Sequence, residues 1–237
     1  MNTTIYLVRH GETTANVMGL VQGWCDFTLT EQGLLGAEYL GRGMKDITFS
    51  AAYSGDLTRQ EKTAREALKY SGNAEVPLQI TSDLREGNYG SYEGRKFPEI
   101  AQYYGYESFD VFLKSCGPLA QNKMQDFYYQ ADQKNLLNTN LPEAYRAESS
   151  AAVEKRMSNC ISQIVKKEES AGGGNILVVS SGMSINLFLH QAKIPEYTGT
   201  TLKNDAVTKV VYQAEKFKLS GEIGSLEYFE RGQEDLK

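Results

Sequence analysis

Ile5-Tyr6-Leu7-Val8-Arg9-His10-Gly11-Glu12-Thr13 is the stretch on which the fold turns. Its first four residues are β-rich and apolar on both faces, the pattern of a buried strand in a mostly parallel sheet. The run stops abruptly at Arg9-His10, and a loop rich in Gly and polar residues continues to about Phe27. A second run of the same kind, Asn175-Ile176-Leu177-Val178-Val179, stops at Ser180-Ser181-Gly182 and leads into a helix from Met183 to about His190. Helices and further strands lie between the two, so the pattern predicts an α/β fold: a doubly wound, mostly parallel sheet with helices on both faces. In such sheets ligands sit beyond the carboxyl ends of the strands. Both polar turns are therefore expected to face one pocket.

Working outward, Thr30 is a good N-cap, and Gly33 to Met44 reads as a helix with Leu34, Leu35, Ala37 and Leu40 inward. Phe49 to Tyr53 is a weaker strand. Asp56 or Thr58 is expected to cap a helix running to about Tyr70, with Ala64, Ala67 and Leu68 on its apolar side. Pro77 to Thr81 reads as a short strand, and Glu86-Gly87-Asn88-Tyr89-Gly90 as a turn. From about Lys96 to Lys134 aromatic residues are dense and Gly105 and Gly117-Pro118 break the chain. An inserted helical lid at about 96–150 is expected within a single domain spanning 1–237; ordinary helical packing is the plainer alternative. A long helix from about Pro142 to Ser170 is expected next, with Val153, Met157, Ile161 and Ile164 inside. Ala206 to Ala214 and Phe217 to Leu219 read as late strands.

The chain has 237 residues, 41% of them hydrophobic, enough for one sizeable core. A net charge of −5 argues against a nucleic-acid binder and a polybasic membrane anchor. Cys25, Cys116 and Cys160 are widely spaced, which disfavours a disulfide scaffold or a structural zinc site. Met-Asn-Thr-Thr shows no signal-peptide pattern, and no apolar run reaches the roughly eighteen residues of a membrane span. Cytoplasmic localisation is the default, with no membrane or nucleic-acid partner expected and oligomeric state left open.

Arg9 and His10 stand where a buried strand ends, and two such side chains are costly to bury without an anion. His10 could be a nucleophile, a base or a metal ligand, or simply part of a half-exposed turn. His190 is the one other histidine, which weakens the metal reading. Arg59, one turn into a helix, could join Arg9 in binding phosphate by bidentate hydrogen bonds, although arginines there usually face solvent. Glu86, in a Gly-rich turn after a strand, could serve as a proton donor.

Taken together, Arg9-His10-Gly11-Glu12-Thr13 with Asn16 resembles the Arg-His-Gly motif of the histidine phosphatase superfamily, which includes the cofactor-dependent phosphoglycerate mutases. Gln22-Gly23-Trp24-Cys25-Asp26, Leu29-Thr30-Glu31-Gln32-Gly33, Asp56-Leu57-Thr58-Arg59 and Leu84-Arg85-Glu86-Gly87-Asn88-Tyr89-Gly90 with Glu93-Gly94 extend the likeness. So do Val178-Val179-Ser180-Ser181-Gly182 and Asn204-Asp205-Ala206-Val207-Thr208, in the same order along the chain. The resemblance implies that neutral His10 attacks phosphorus, that Arg9 and Arg59 hold the equatorial oxygens, and that Glu86 handles the proton of the leaving oxygen. Asn16 would add a neutral donor, and Gln22, Gly23 and Gly182 would line the same pocket. No cofactor and no metal are implied, and the partner is a small phosphorylated substrate.

One motif departs from the pattern. The family's Ser-His-Gly reads Ser180-Ser181-Gly182 here, so Ser181 stands where a second phosphate-holding histidine is expected. Loss of one preorganised donor typically costs roughly 10²–10³ in rate. The leading expectation is thus a phosphomonoester hydrolase with reduced turnover. A phosphoglycerate-type mutase and a non-catalytic phosphate-ligand sensor are the alternatives. A serine hydrolase is disfavoured, because the turn lacks the glycine two residues before either serine.

Overall fold

Every residue from Ile5 to Val8 is paired on both sides, because β1 (Thr3–Arg9) lies between two other strands. The computed structural model describes residues 3–98 and 100–236. Met1 and Asn2, Glu99 in the expected insertion, and Lys237 lie outside the described residues. In chain order the helices are α1 (Thr14–Met18), α2 (Glu31–Gly43), α3 (Thr58–Tyr70), α4 (Ile100–Tyr103), α5 (Phe109–Cys116), α6 (Ala120–Gln133), α7 (Ser150–Ser170), α8 (Gly182–Gln191) and α9 (Glu227–Glu234). The other strands are β2 (Phe49–Ser54), β3 (Leu78–Ile80), β4 (Gly174–Ser180), β5 (Val207–Gln213) and β6 (Lys216–Leu219).

These strands form one sheet in the order β3-β2-β4-β1-β5-β6. The β3–β2, β2–β4 and β4–β1 pairs are parallel; β5 and β6 add an antiparallel edge. The expected doubly wound α/β architecture is therefore present, as a mixed sheet with helices on both faces. Val153, Met157, Ile161 and Ile164 of α7 and Ile185 and Phe188 of α8 cover one face. Leu40 of α2, Ala64, Ala67 and Leu68 of α3 and Tyr228 of α9 cover the other. Burying each large aliphatic side chain contributes roughly 1.5–3 kcal/mol, which is why both faces are closed. The register Val8↔Val179, Arg9↔Ser180 brings the ends of β1 and β4 side by side. The His10 N–H donates to the Ser180 carbonyl at 3.0 Å, carrying the pairing one residue past the strand.

Several local expectations are corrected. Thr30 does cap α2, accepting from the Gly33 N–H at 2.9 Å. Leu34, however, is exposed, and α2 turns Gly33, Gly36, Ala37 and Leu40 inward. A Cβ on Gly36 would meet the Asp205 carboxylate at 2.5 Å, so glycine lets the helix approach closely. Neither Asp56 nor Thr58 caps α3. Leu57 holds the cap position, and Asp26 from the distant loop accepts from the Thr58 N–H at 3.0 Å. Asp56 is taken up by Arg85, with two contacts of 2.6 Å. The helix expected from Pro142 begins at Ser150, with Ser149 as its cap; before it lies only a short 3₁₀ turn, Glu143–Tyr145. α9 has no counterpart among the expected elements.

The aromatic stretch has a hydrophobic cluster of its own, in which Phe127 and Tyr128 pack on Tyr89 and Tyr92, and Phe112 on Tyr104 and Tyr106. No described helix is long and apolar enough to cross a membrane. The three cysteines are free.

Candidate active site

His10 is 2% exposed, and both of its ring nitrogens are engaged. Nδ1 lies 2.8 Å from the Gly11 carbonyl, which can only accept, so Nδ1 carries the proton. Nε2 accepts from the Arg59 Nε–H at 3.2 Å, so its lone pair points toward that guanidinium. The imidazole is held well below the usual histidine pKa, first by burial and then by the positive charges of Arg59 and Arg9. A neutral imidazole with an unprotonated Nε2 is the form a nucleophile requires.

Arg59 is fully buried although it belongs to the first turn of a surface-facing helix. Its Nη2 donates to the Gly23 carbonyl at 2.6 Å and its Nη1 to the Cys25 carbonyl at 3.0 Å. These carbonyls are in place because the loop wraps a carboxylate. The N–H groups of Gly23, Trp24 and Cys25 donate to Glu93 at 3.0, 2.8 and 3.0 Å. Gly23 is pressed against both Glu93 and the Gly87 carbonyl, which leaves no space for a side chain. Glu93 thus acts through the loop to fix Arg59, and through Arg59 to orient His10. Three of the five guanidinium N–H groups are used; two remain.

Arg9 donates from Nη1 to the Leu202 carbonyl, while its buried Nε has no partner. Burial lowers the pKa of both arginines from the usual value, with Glu86 opposing in each case. Gly182, at the start of α8, packs on Arg9: a Cβ there would lie 3.2 Å from its Cδ. Asn16 Oδ1 accepts from the Thr13 N–H at 3.1 Å and from Asn204 Nδ2 at 3.2 Å. With Oδ1 occupied, the amide Nδ2 is left as a donor.

Glu86 is 6% exposed, and its carboxylate closes the N-terminus of α8. It accepts from the Met183 N–H at 3.1 Å, the Ser184 N–H at 2.8 Å and the Gly87 N–H at 3.0 Å. The Trp24 indole donates to its backbone carbonyl at 3.0 Å.

A cleft of about 560 Å³ opens over this group. Arg9, His10, Asn16, Gln22, Glu86 and Gly182 all line it, so residues far apart in sequence meet as expected. Gly23 and Arg59 lie behind that wall. Ser181 departs from its expected place at the pocket wall. It is fully buried, is not part of the cleft lining, and accepts from the Gln60 Nε2 at 2.8 Å. His190 is far along α8, with Nδ1 2.7 Å from Glu154. Among the described residues no cluster of His, Cys, Asp or Glu is arranged to hold a metal ion.

Three residues without an assigned role join the site. Gln60 positions Ser181 and also donates to the Leu84 carbonyl at 3.1 Å. Asn204 donates to the His10 carbonyl at 2.9 Å. Asp205 is 4% exposed, its Oδ1 has no partner, and its backbone N–H donates to the Arg9 carbonyl at 3.1 Å. The sequence signal for Asn204 and Asp205 is their place in the motif that opens the late strand, which assigns them no role.

Burial pushes the Asp205 carboxyl up to about 7, with Arg9 opposing and Glu12 reinforcing. An unfolded aspartate releases its proton near pH ~3.9. The native protein keeps that proton longer, so ionisation of Asp205 costs stability progressively from about pH 4 to 7, and fully above. Asp205→Asn, which suits the positive φ of 59° at this position, is expected to raise the melting temperature by about 2 °C or more at about pH 8 and to change it little at about pH 4. Equal shifts at both pH values would refute this assignment.

The family model described as the histidine phosphatase superfamily (branch 1) matches residues 5–115 and 118–222. A 2,3-bisphosphoglycerate-dependent phosphoglycerate mutase of Bartonella quintana (strain Toulouse) is 34% identical over 117 residues, 48% of this chain and 57% of that protein. The chain thus spans little more than half the length of the curated relatives of this group. Among solved structures, the phosphoglycerate mutase from Bacillus anthracis str. Sterne shows a TM-score of 0.86 at 31% identity, covering 98% of this chain and 97% of that one. Bacillus stearothermophilus YhfR shows 0.68 at 26% identity, covering 96% and 99%. With a family match over most of its length and a full-length structural likeness, the chain belongs to the histidine phosphatase superfamily.

Proposed function

We propose that the protein is a phosphomonoester hydrolase working through a phosphohistidine on His10. The observation that carries this reading is the neutral His10, its Nε2 bonded to the Arg59 guanidinium, in a cleft that Arg9 also lines. In the first step the Nε2 lone pair forms a bond to phosphorus while the P–O bond to the leaving alcohol breaks. Glu86 gives the alcohol oxygen its proton. In the second step water attacks phosphorus, Glu86 takes a proton from that water, and the P–N bond breaks to return neutral His10. Arg9 neutralises charge on the equatorial oxygens throughout, while Arg59, sealed behind His10 at rest, adds its positive charge from beneath the cleft wall. The incoming phosphoryl group also draws Arg59 away from Nε2, freeing the lone pair that it covers at rest.

Hydrolysis is favoured over a mutase reaction by the charge of the cleft. Among the described residues lining it, Arg9 is the sole Lys or Arg, whereas Glu107 adds negative charge. A phosphorylated carboxylic acid would need a second cation there. The mutase reading is motivated by the likeness to the Bacillus anthracis protein. Assay of a phosphate-ester panel with and without 2,3-bisphosphoglycerate separates the two. Primer-independent release of inorganic phosphate is the expected result, and activity only with the primer would favour the mutase.

Ser181 bears on speed. Its hydroxyl stops short of the cleft, where an imidazole would reach further and add a donor. Ser181→His is expected to raise turnover by roughly 10–10²-fold. Unchanged or lower turnover would refute the view that Ser181 limits the rate. Failure of His10 to become phosphorylated by a reactive aryl phosphate, while phosphate esters still bind, would point to a sensor.

A further inference from the structure

The cleft contains an unpaired polar group that phosphoryl transfer does not use. Asn186 is 1% exposed and lines the cleft, yet its Oδ1 has no partner among the described residues. It lies four residues beyond Gly182 on α8, about 6 Å further along the helix axis from the Arg9 end. A buried amide oxygen without a donor is costly, and a ligand that supplies the donor restores the bond. The group needed at this depth is a hydrogen-bond donor, and a hydroxyl of the leaving alcohol is the donor that adds no charge to the cleft.

The surrounding walls narrow the choice. Phe97, Phe109 and Tyr128 offer aromatic surface, with Phe97 and Phe109 well exposed. Such surface suits the C–H face of a carbon chain. Glu107 contributes negative charge, and no described Lys or Arg of the lining lies beyond Arg9 to receive a carboxylate.

Resting on the hydrolase reading above, we propose that Asn186 is a specificity-determining residue that accepts a hydrogen bond from a hydroxyl of the leaving group, and that the substrates are phosphate monoesters of uncharged polyols. Sorbitol 6-phosphate, hexyl phosphate and 6-phosphogluconate test this, because all three are primary esters of six-carbon alcohols. Hexyl phosphate lacks the hydroxyls, and 6-phosphogluconate replaces a terminal CH₂OH by a carboxylate. In the unaltered protein, kcat/KM for sorbitol 6-phosphate is expected to exceed that of each of the other two by about tenfold or more. In Asn186→Leu the preference over hexyl phosphate is expected to fall to within about threefold. Comparable kcat/KM for sorbitol 6-phosphate and hexyl phosphate in the unaltered protein, or equal losses on both in Asn186→Leu, would overturn the assignment. A preference for 6-phosphogluconate would overturn the substrate class. The comparison in the unaltered protein decides the matter even where the variant fails to fold. Absence of turnover on p-nitrophenyl phosphate, with no phosphohistidine formed, would instead remove the hydrolase reading beneath it.

Discussion

His10→Ala is expected to lower turnover of every phosphate ester by at least about 10⁴-fold and to abolish the acid-labile phosphoprotein trapped by rapid quenching. The effect is large because no other described side chain of the cleft offers an imidazole nitrogen. Arg9 and Asn16 remain to bind phosphate, so ligand affinity should survive while chemistry fails. A second readout concerns stability. Native His10 stays neutral well below the usual histidine pKa, whereas an unfolded histidine takes up a proton near pH ~6.5. The native state therefore loses stability as pH falls below about 6.5, and His10→Ala is expected to lessen that slope. Substantial residual turnover in the variant would remove His10 as the nucleophile. An unaltered pH slope of stability would contradict its neutral burial.

Glu86→Gln is expected to cut the hydrolysis of alkyl phosphates by about 10²–10⁴-fold, and that of p-nitrophenyl phosphate much less. The asymmetry follows from the leaving groups: an alkoxide needs a proton to depart, whereas a nitrophenolate does not. Glutamine keeps the size of the side chain but loses one acceptor at the start of α8, where the Met183, Ser184 and Gly87 N–H groups all converge on the carboxylate. That loss acts equally on every substrate. Equal losses on both ester types would therefore assign Glu86 to holding α8 rather than to moving a proton.

The elements that the sequence made legible are those whose residues answer to local rules. Ile5–Val8 and Ile176–Val179 are apolar on both faces, and only a strand covered on both sides satisfies them. Thr30 announced its helix because the cap is a local hydrogen bond. Leu34 misled for a reason that is not local: α2 turns its glycine face inward, so that Gly36 can approach Asp205. The cap of α3 was illegible because the accepting carboxylate, Asp26, comes from a loop thirty-two residues away.

The same division runs through the candidate site. His10, Arg9, Asn16, Gln22 and Glu86 were named from motifs, and the structure brings them to one cleft. That Arg59 is sealed behind His10, with its donors on Gly23 and Cys25, depends on Glu93 ordering a loop seventy residues away in sequence. Ser181 lies beneath the wall rather than in it, because Gln60 of the neighbouring helix claims its hydroxyl.

By itself the amino-acid sequence determined the alternation of strands and helices, which is written in side-chain polarity over short spans, and its motifs named the candidate phosphate-handling groups. Only the tertiary structure decided the tautomer of His10, the raised pKa of Asp205 and the unpaired Asn186. Each of these depends on which distant groups share a water-poor space, and hydrogen-bond geometry and desolvation exist only once those groups have been brought together.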